Sequence, residues 1–518
     1  MKRLLGWLFV IGLVAIFAGG SYAETVSNTP DTQPEPSAQG ATTANTGKMN
    51  VLFIAVDDLR PRLKCYGEPT VKSPNIDRLA SEGVVFRNAF CQMASCNPSR
   101  CSLLTSRRPD TTTVFGNRKH FRSVLPDVVT LPQQFKLHGY FTQSLGKIFH
   151  GTYRRDKHQD PVSWSVPEWR PDYVTYATPE GIAILKKRYP KYFKNRRQTP
   201  QQIMADRPMK GLVWEAPDVP DNAMNDGRLA EKAIEVLRDI KDRPFFLGVG
   251  FVKPHAPYVA PKKYFDLYDL DEIELPANNQ LPLHGTPLAH NDSKEVRGYL
   301  RFPNSGPVKE KTQREVILAY NACVSYIDAQ IGKIFAELDR LGLRDKTIIV
   351  LWGDHGYHLG HNGLWGKNTN FDAAARVPLI ISVPGMKTAG KSTEGFVELV
   401  DLYPTLCELC DVPLTEGQQG ASFAPLLNKP DQSWKKATFT QHPRPLYDPK
   451  GSMGHSMRTA RYRLTEWTGP RLKKRVYELY DYQTDPGETT NLADVPEYQK
   501  IKKELITQLH QGWKAALP

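Results

Sequence analysis

Three segments of this 518-residue chain place acids or histidines directly after a run of apolar residues. Asn50–Val56 reads NVLFIAV and is followed by Asp57-Asp58. Residues 346–351 read KTIIVL and lead through Trp352-Gly353 to Asp354-His355-Gly356. Residues 244–252 read PFFLGVGFV and lead into Lys253-Pro254-His255. A nearly continuous apolar run of this length reads as a strand buried on both faces of a parallel sheet. In such sheets ligands bind beyond the carboxyl ends of the strands. Carboxylates there offer the oxygen ligands that a hard divalent cation takes. An imidazole there can move a proton near neutral pH. Singly, each residue has an ordinary structural reading: an Asp after a strand caps a helix, a His packs, a Lys is solvated. Three strand ends carrying such groups point to one functional edge.

The elements that must position these groups follow from the rest of the pattern. A fourth apolar run, VPLIISV, covers residues 377–383, and helical stretches lie at 229–240 and 314–341, the latter amphipathic. Strands alternating with helices predict an α/β fold with an open, largely parallel sheet. Residues 151–220 are rich in Pro, Tyr and Trp and read as an insertion over the ligand edge. Within 147–210 there are 14 Lys+Arg against 6 Asp+Glu, a net of +8, which suits an anionic substrate. Beyond residue 428 the text changes. Short alternating strands at 457–467 and 475–482 and a closing amphipathic helix at 498–516 predict a small α+β domain over 436–518, after a catalytic domain over 48–428.

The N-terminus has Lys2 and Arg3, an uncharged apolar stretch over 4–18, then Gly19-Gly20 and Ser21-Tyr22-Ala23. That is the pattern of a secretory signal peptide over 1–23. It predicts an exported protein, periplasmic or secreted from a bacterium, with no stable membrane insertion after cleavage. Residues 24–47, rich in Thr, Pro, Ser, Gln, Ala and Gly, read as a disordered linker. No second long apolar run follows, which excludes a multi-span membrane protein. Lys+Arg 68 against Asp+Glu 55 gives +13, and removing Lys2 and Arg3 leaves 13 − 2 = +11. Seven cysteines are too few for a dense disulfide scaffold. Cys407 and Cys410 sit in an apolar, helical-looking segment and read as core. Cys96 has the unusual neighbours.

Cys96-Asn97-Pro98-Ser99-Arg100 matches C-x-P-S-R, by which sulfatases mark a cysteine for oxidation to formylglycine. Thr105 and Arg107-Arg108-Pro109-Asp110-Thr111-Thr112 continue that match. Ser73–Ala80, Leu145-Gly146-Lys147-Ile148-Phe149-His150, Lys253-Pro254-His255, Asp354-His355-Gly356, Trp365-Gly366-Lys367 with Asn370-Phe371-Asp372, and Glu478-Leu479-Tyr480-Asp481 follow in the expected order. Over residues 49–518 the chain resembles the type I, formylglycine-dependent sulfatase family, in its iduronate-2-sulfatase-like branch. One feature departs from the pattern: Ser106 stands where the family has Gly. Cys101 adjoins the motif as a possible disulfide partner for Cys96.

The resemblance implies an alkaline-phosphatase-like fold and a sulfuric ester hydrolase acting on a sulfated carbohydrate. It implies one divalent cation, Ca²⁺, held by Asp57, Asp58, Asp354 and His355 together with the group derived from Cys96. A formylglycine-generating or sulfatase-maturating enzyme is the implied partner. The hydrated aldehyde attacks sulfur with one hydroxyl, and the second hydroxyl expels sulfate. In the family's scheme Arg100 and Lys147 hold the nucleophile, His150 is the base, His255 protonates the leaving alcohol, and Lys253 and Lys367 grip sulfate oxygens. The rival readings are a phosphonate or phosphate ester hydrolase on the same fold and a non-catalytic binding protein for sulfated glycans. A zinc site from His120, His358 and His361 does not fit a known ligand spacing. Nucleic acid binding finds no recognisable module.

Overall fold

The computed structural model describes residues 47–150, 160–172, 174–194, 198–205, 209–291, 295–445 and 451–518. The expected leader at 1–23, and the linker up to residue 46, lie outside the described residues. Among the described residues no helix is long and apolar enough to cross a membrane.

The main sheet is built from β1 (Asn50–Val56), β2 (Val84–Phe90), β3 (Phe141–Gly146), β4 (Phe245–Phe251), β5 (Thr347–Gly353), β6 (Leu379–Ser382) and β7 (Lys391–Glu398). Their order across the sheet is β7-β2-β6-β5-β1-β4-β3, and the short strand Arg376–Val377 also pairs with β2. Every residue of β1, β4 and β5 is buried. Alternate side chains of β1 serve two cores. Leu52, Ile54 and Val56 join the helices on one face, while Val51, Phe53 and Ala55 join those on the other. That explains why these strands read as unbroken apolar text.

The principal helices are α1 (Pro74–Glu82), α2 (Cys96–Thr105), α3 (Asn225–Ile240), α4 (Glu310–Arg340) and α5 (Leu402–Leu409). Helices α1, α3 and α4 cover the first face, and α2 and α5 cover the second. All seven cysteines are free, so no disulfide competes for Cys96. Cys407 is core, as its segment predicts.

Register decides what meets at the ligand edge. Val56 of β1 pairs with Phe251 of β4 and with Gly353 of β5, and Gly146 of β3 pairs with Gly250. The four strands therefore end level, and Asp57, Lys147, Lys253 and Asp354 emerge side by side. The close approach of the chain leaving β3 to β4 requires glycine. Gly146 is left-handed at φ +73°, and a Cβ on Gly250 would lie 2.1 Å from the carbonyl oxygen of Lys147.

Several sequence expectations need correction. The fourth apolar run is not parallel: β6 runs antiparallel to β5 and to β2. Strands β2, β3 and β7 carry polar residues and were not legible as strands. The described portion of 151–220, read as an insertion, has helices of its own at Pro179–Arg188 and Pro200–Ala205. The stretch 457–467 is not one strand but most of a hairpin. The C-terminal sheet is β8 (Ala437–Arg444), β9 (Ser452–Thr459), β10 (Tyr462–Thr468) and β11 (Val476–Asp481), all antiparallel. The turn between β9 and β10 is held by Tyr462 N–H donating to Thr459 Oγ1 at 2.9 Å, with no Gly or Asn to announce it. The closing helix α6 (Gln499–Gln511) ends at Gly512, whose φ of +74° breaks the run before a short 3₁₀ turn at Trp513–Ala516.

This C-terminal layer has a small core of Met457, Leu464, Leu479, Leu505 and Leu509. A buried ionic knot ties it to the main sheet. Glu398 accepts from Arg108 Nη1 at 2.8 Å and Nη2 at 2.6 Å, and from Lys435 Nζ at 2.9 Å. Lys435 also donates to Asp401 at 2.7 Å.

Candidate active site

Cys96 opens α2, and all ten residues of that helix are buried. Pro98 falls in the first turn, where its missing N–H costs nothing. The positive end of the helix faces the strand ends, which favours negative charge at Cys96. Ser106 closes the helix in the left-handed region at φ +48°, which is why a glycine suits this position. Its hydroxyl donates to Val400 O at 2.9 Å.

The carboxylates of Asp57, Asp58 and Asp354 converge on Cys96 and are fully buried. Arg100 organises two of them. Its Nε donates to Asp354 Oδ2 at 2.9 Å and its Nη2 to Asp57 Oδ1 at 3.2 Å, while Nη1 donates to Ile148 O at 3.0 Å and to Lys147 O. Lys147 Nζ donates to Asp57 Oδ2. Ser99 Oγ donates to the Asp354 carbonyl, and Asp58 N–H to Asp354 Oδ1 at 3.0 Å. Tyr320 Oη donates to Asp58 O at 2.8 Å. Burial pushes the Asp57 carboxyl up, but Lys147, then His255, Arg100 and Lys367 outweigh it and hold it well below the usual range. Burial wins at Asp58, which is raised.

The arrangement fits a hard cation. Potential ligand atoms of Asp57, Cys96, Asp354 and His355 lie within 4.8 Å of one another, as do those of Asp57, Asp58, Cys96 and His255. Asp58 Oδ2 is buried without a hydrogen-bond partner. His355 Nδ1 faces Gly356 O at 2.9 Å and therefore carries the proton. Nε2 faces the cluster, 3.4 Å from Cys96 Sγ and 3.4 Å from Asp58 Oδ1. Three carboxylates and one imidazole are an oxygen-rich donor set.

On the other side, Lys367 Nζ lies 3.3 Å from Cys96 Sγ and 2.6 Å from Asp58 Oδ1. Burial pulls its ammonium down, but Asp58 and then the Cys96 sulfur outweigh it, and it stays raised. His255 is also lifted, to about 9: burial lowers it, and Asp58 with Glu295 more than compensates. The Cys96 thiol is pushed up to about 12 by burial and then by Asp57, against Lys147 and Lys367. It is protonated at neutral pH and a poor nucleophile as it stands.

Lys253 departs from its expected place. Its Nζ donates to the carbonyls of His255 at 2.7 Å and Pro257 at 2.6 Å, so it clamps the turn that carries His255. Asp226 at the start of α3 holds the same turn, accepting from Val252 N at 2.9 Å and Lys253 N at 3.0 Å. His150 stands three residues beyond Lys147 on the turn after β3, half-buried. His358 is engaged with Thr369 and the His361 carbonyl, and His361 with Arg60, so neither joins the carboxylates. Asp226, Tyr320 and Glu295 are site residues that no motif announced. A cavity of about 450 Å³ is lined among others by Trp365, Arg297, His290, Gln280 and Gln313, and Trp365 and Arg297 stand two positions along the chain from Lys367 and Glu295.

The chain is similar to known proteins along nearly its whole described length. A family profile described as Sulfatase matches residues 49–412, and one described as N-sulphoglucosamine sulphohydrolase, C-terminal, matches residues 360–515. Iduronate 2-sulfatase of Mus musculus is 36% identical over 499 residues, 84% of this chain and 87% of that protein. A sulfatase of Formosa agariphila is 30% identical over 481 residues, 90% of this chain and 88% of its own. Among solved structures, the phosphonate monoester hydrolase of Agrobacterium radiobacter superposes with a TM-score of 0.72 at 22% identity. It covers 90% of this chain and 95% of that one, a likeness of alkaline-phosphatase-like fold.

Proposed function

The chain belongs to the sulfatase family as an iduronate-2-sulfatase-like sulfuric ester hydrolase, and we propose that it is exported and desulfates a glycan through a formylglycine made from Cys96. One arrangement carries this reading. Cys96 sits at a helix N-terminus between a buried carboxylate cluster and the cations Lys367 and His255. Its thiol, held protonated, is unsuited to attack unless modified.

Asp57, Asp58, Asp354 and His355 would hold the divalent cation, Ca²⁺ by the character of the donors. When bound, that ion supplies charge to offset the sulfate oxygens and to acidify the nucleophilic hydroxyl. The hydrated aldehyde at position 96 supplies that hydroxyl and a second one, whose proton leaves as sulfate is expelled. The remaining work belongs to the side chains. Arg100 and Lys147 fix Asp57 and Asp354 in orientation. Lys367 Nζ holds a sulfate oxygen beside position 96. His255, protonated at neutral pH, offers Nε2–H to the leaving alcohol. His150 takes the proton in the second step, and Lys253 acts by keeping His255 in place. The cavity beside Trp365 would take the sugar, with Arg297 and His290 on its wall for an acidic ring such as a uronate.

The test is hydrolysis of 2-O-sulfated, uronate-containing disaccharides by protein made with a formylglycine-generating enzyme. Sulfate release is expected, falling by about 100-fold or more on dialysis against EDTA and returning with Ca²⁺. Turnover of a phosphonate monoester with no release from any sulfate ester would favour the phosphonate reading and contradict this one.

A further inference from the structure

The two donors assigned to the sulfate ester are already engaged by a third residue. Glu295 Oε1 stands 2.8 Å from Lys367 Nζ and 3.0 Å from His255 Nε2. His255 Nδ1 lies 2.7 Å from Ala256 O. A carbonyl only accepts, so Nδ1 carries a proton and the ring turns its other nitrogen to Glu295. The side chains of Lys367, His255 and Glu295 are 3%, 25% and 17% exposed. Two cations sharing such a recess are costly unless an anion accompanies them. Asp58 pairs with Lys367 at 2.6 Å, and Glu295 reaches both donors. One carboxylate oxygen touching both is the contact that an oxygen of a bound sulfate ester would make.

We propose that Glu295 is a positioning residue that stands in for the sulfate between turnovers, keeping Lys367 and His255 aimed, and that its charge sets how weakly the site holds free sulfate. The proposal rests on the sulfatase reading of the site. An arriving sulfate brings negative charge to a point that already has it, and like charges at such separation in a shielded recess repel strongly. The Glu295 side chain has to yield, and ground-state binding of ester and product is weakened together. A recess lined by Lys367, His255 and a cation site would otherwise retain its product.

The experiment compares the wild type with Glu295→Gln, both carrying converted Cys96 and Ca²⁺. Inorganic sulfate is the probe, by inhibition of 4-nitrocatechol sulfate hydrolysis and by calorimetry. Glu295→Gln is expected to bind sulfate about tenfold tighter or more, with KM falling in step. Mere structural damage would weaken binding, not tighten it. An unchanged sulfate constant with only kcat reduced overturns the proposal and leaves the sulfatase reading standing. A wild type that neither turns over the ester nor binds sulfate overturns both. Should Glu295→Gln not fold, Glu295→Asp carries the test. Withdrawing the carboxylate by one methylene is expected to tighten sulfate about threefold, and no change there overturns the proposal.

Discussion

Cys96→Ala is expected to leave a folded protein with turnover reduced by at least about 10⁴-fold, the loss usual when a covalent nucleophile is removed. Cys96 is 1% exposed and touches His355 and Lys367 through sulfur alone. Its deletion removes one small atom from the wall and leaves the Asp57–Arg100–Asp354 network intact. The stability cost is that of a small cavity, about 1 kcal/mol. Cys96→Ser is expected to be as inactive after expression with a generator specific for cysteine, since a lone hydroxyl lacks the second oxygen needed to expel sulfate. Steady-state assay and thermal denaturation together check both halves. A Cys96→Ala protein with more than a few per cent of wild-type activity would place the nucleophile elsewhere.

Asp57→Asn has the largest expected effect on stability. The carboxylate pairs with Lys147 and Arg100, whose side chains are 2% and 0% exposed. An amide in its place takes the paired carboxylate from Lys147 and leaves Arg100 with Asp354 alone, a loss of about 3–5 kcal/mol. The sign with pH follows from the direction of the shift. Burial raises the Asp57 carboxyl, but Lys147 and its neighbours hold it well below the unfolded value, near 3.9. The stabilisation is therefore fully present above about pH 4 and is lost as pH falls toward the folded pKa. Denaturant unfolding in EDTA should show the gap between wild type and Asp57→Asn at pH 7, narrowing below pH 4. A gap independent of pH would assign the loss to packing. Activity should fall with it, because the same residue is a proposed cation ligand.

The parts legible in the sequence were those where one physical demand governs a whole segment. β1, β4 and β5 are buried on both faces, so their text is apolar throughout, and the groups just past their ends are the site. Cys96 was visible because its motif is contiguous. Other features depend on tertiary context. β7 reads KSTEGFVE because it lies at the edge of the sheet beside β2, with one side half in solvent. The hairpin turn after Thr459 uses a side-chain hydrogen bond in place of a glycine. Lys253 looked like an anion ligand because its motif fixes the residue type but not the direction of its ammonium, which two carbonyls decide. Glu295 had no signal at all. Its meaning comes from the fold bringing a loop residue to Lys367, 72 positions away by number, and to His255.

The central claim is that Cys96 is read as a modification site and not used as a thiol. It is tested most directly by the mass of the tryptic peptide spanning residues 88–100, from protein produced with a formylglycine-generating enzyme. The account predicts a peptide lighter than the cysteine form by the fixed difference between a thiol and an aldehyde, with its hydrate alongside, in the protein that releases sulfate. A peptide found wholly as the thiol in protein that still hydrolyses sulfate esters would contradict it.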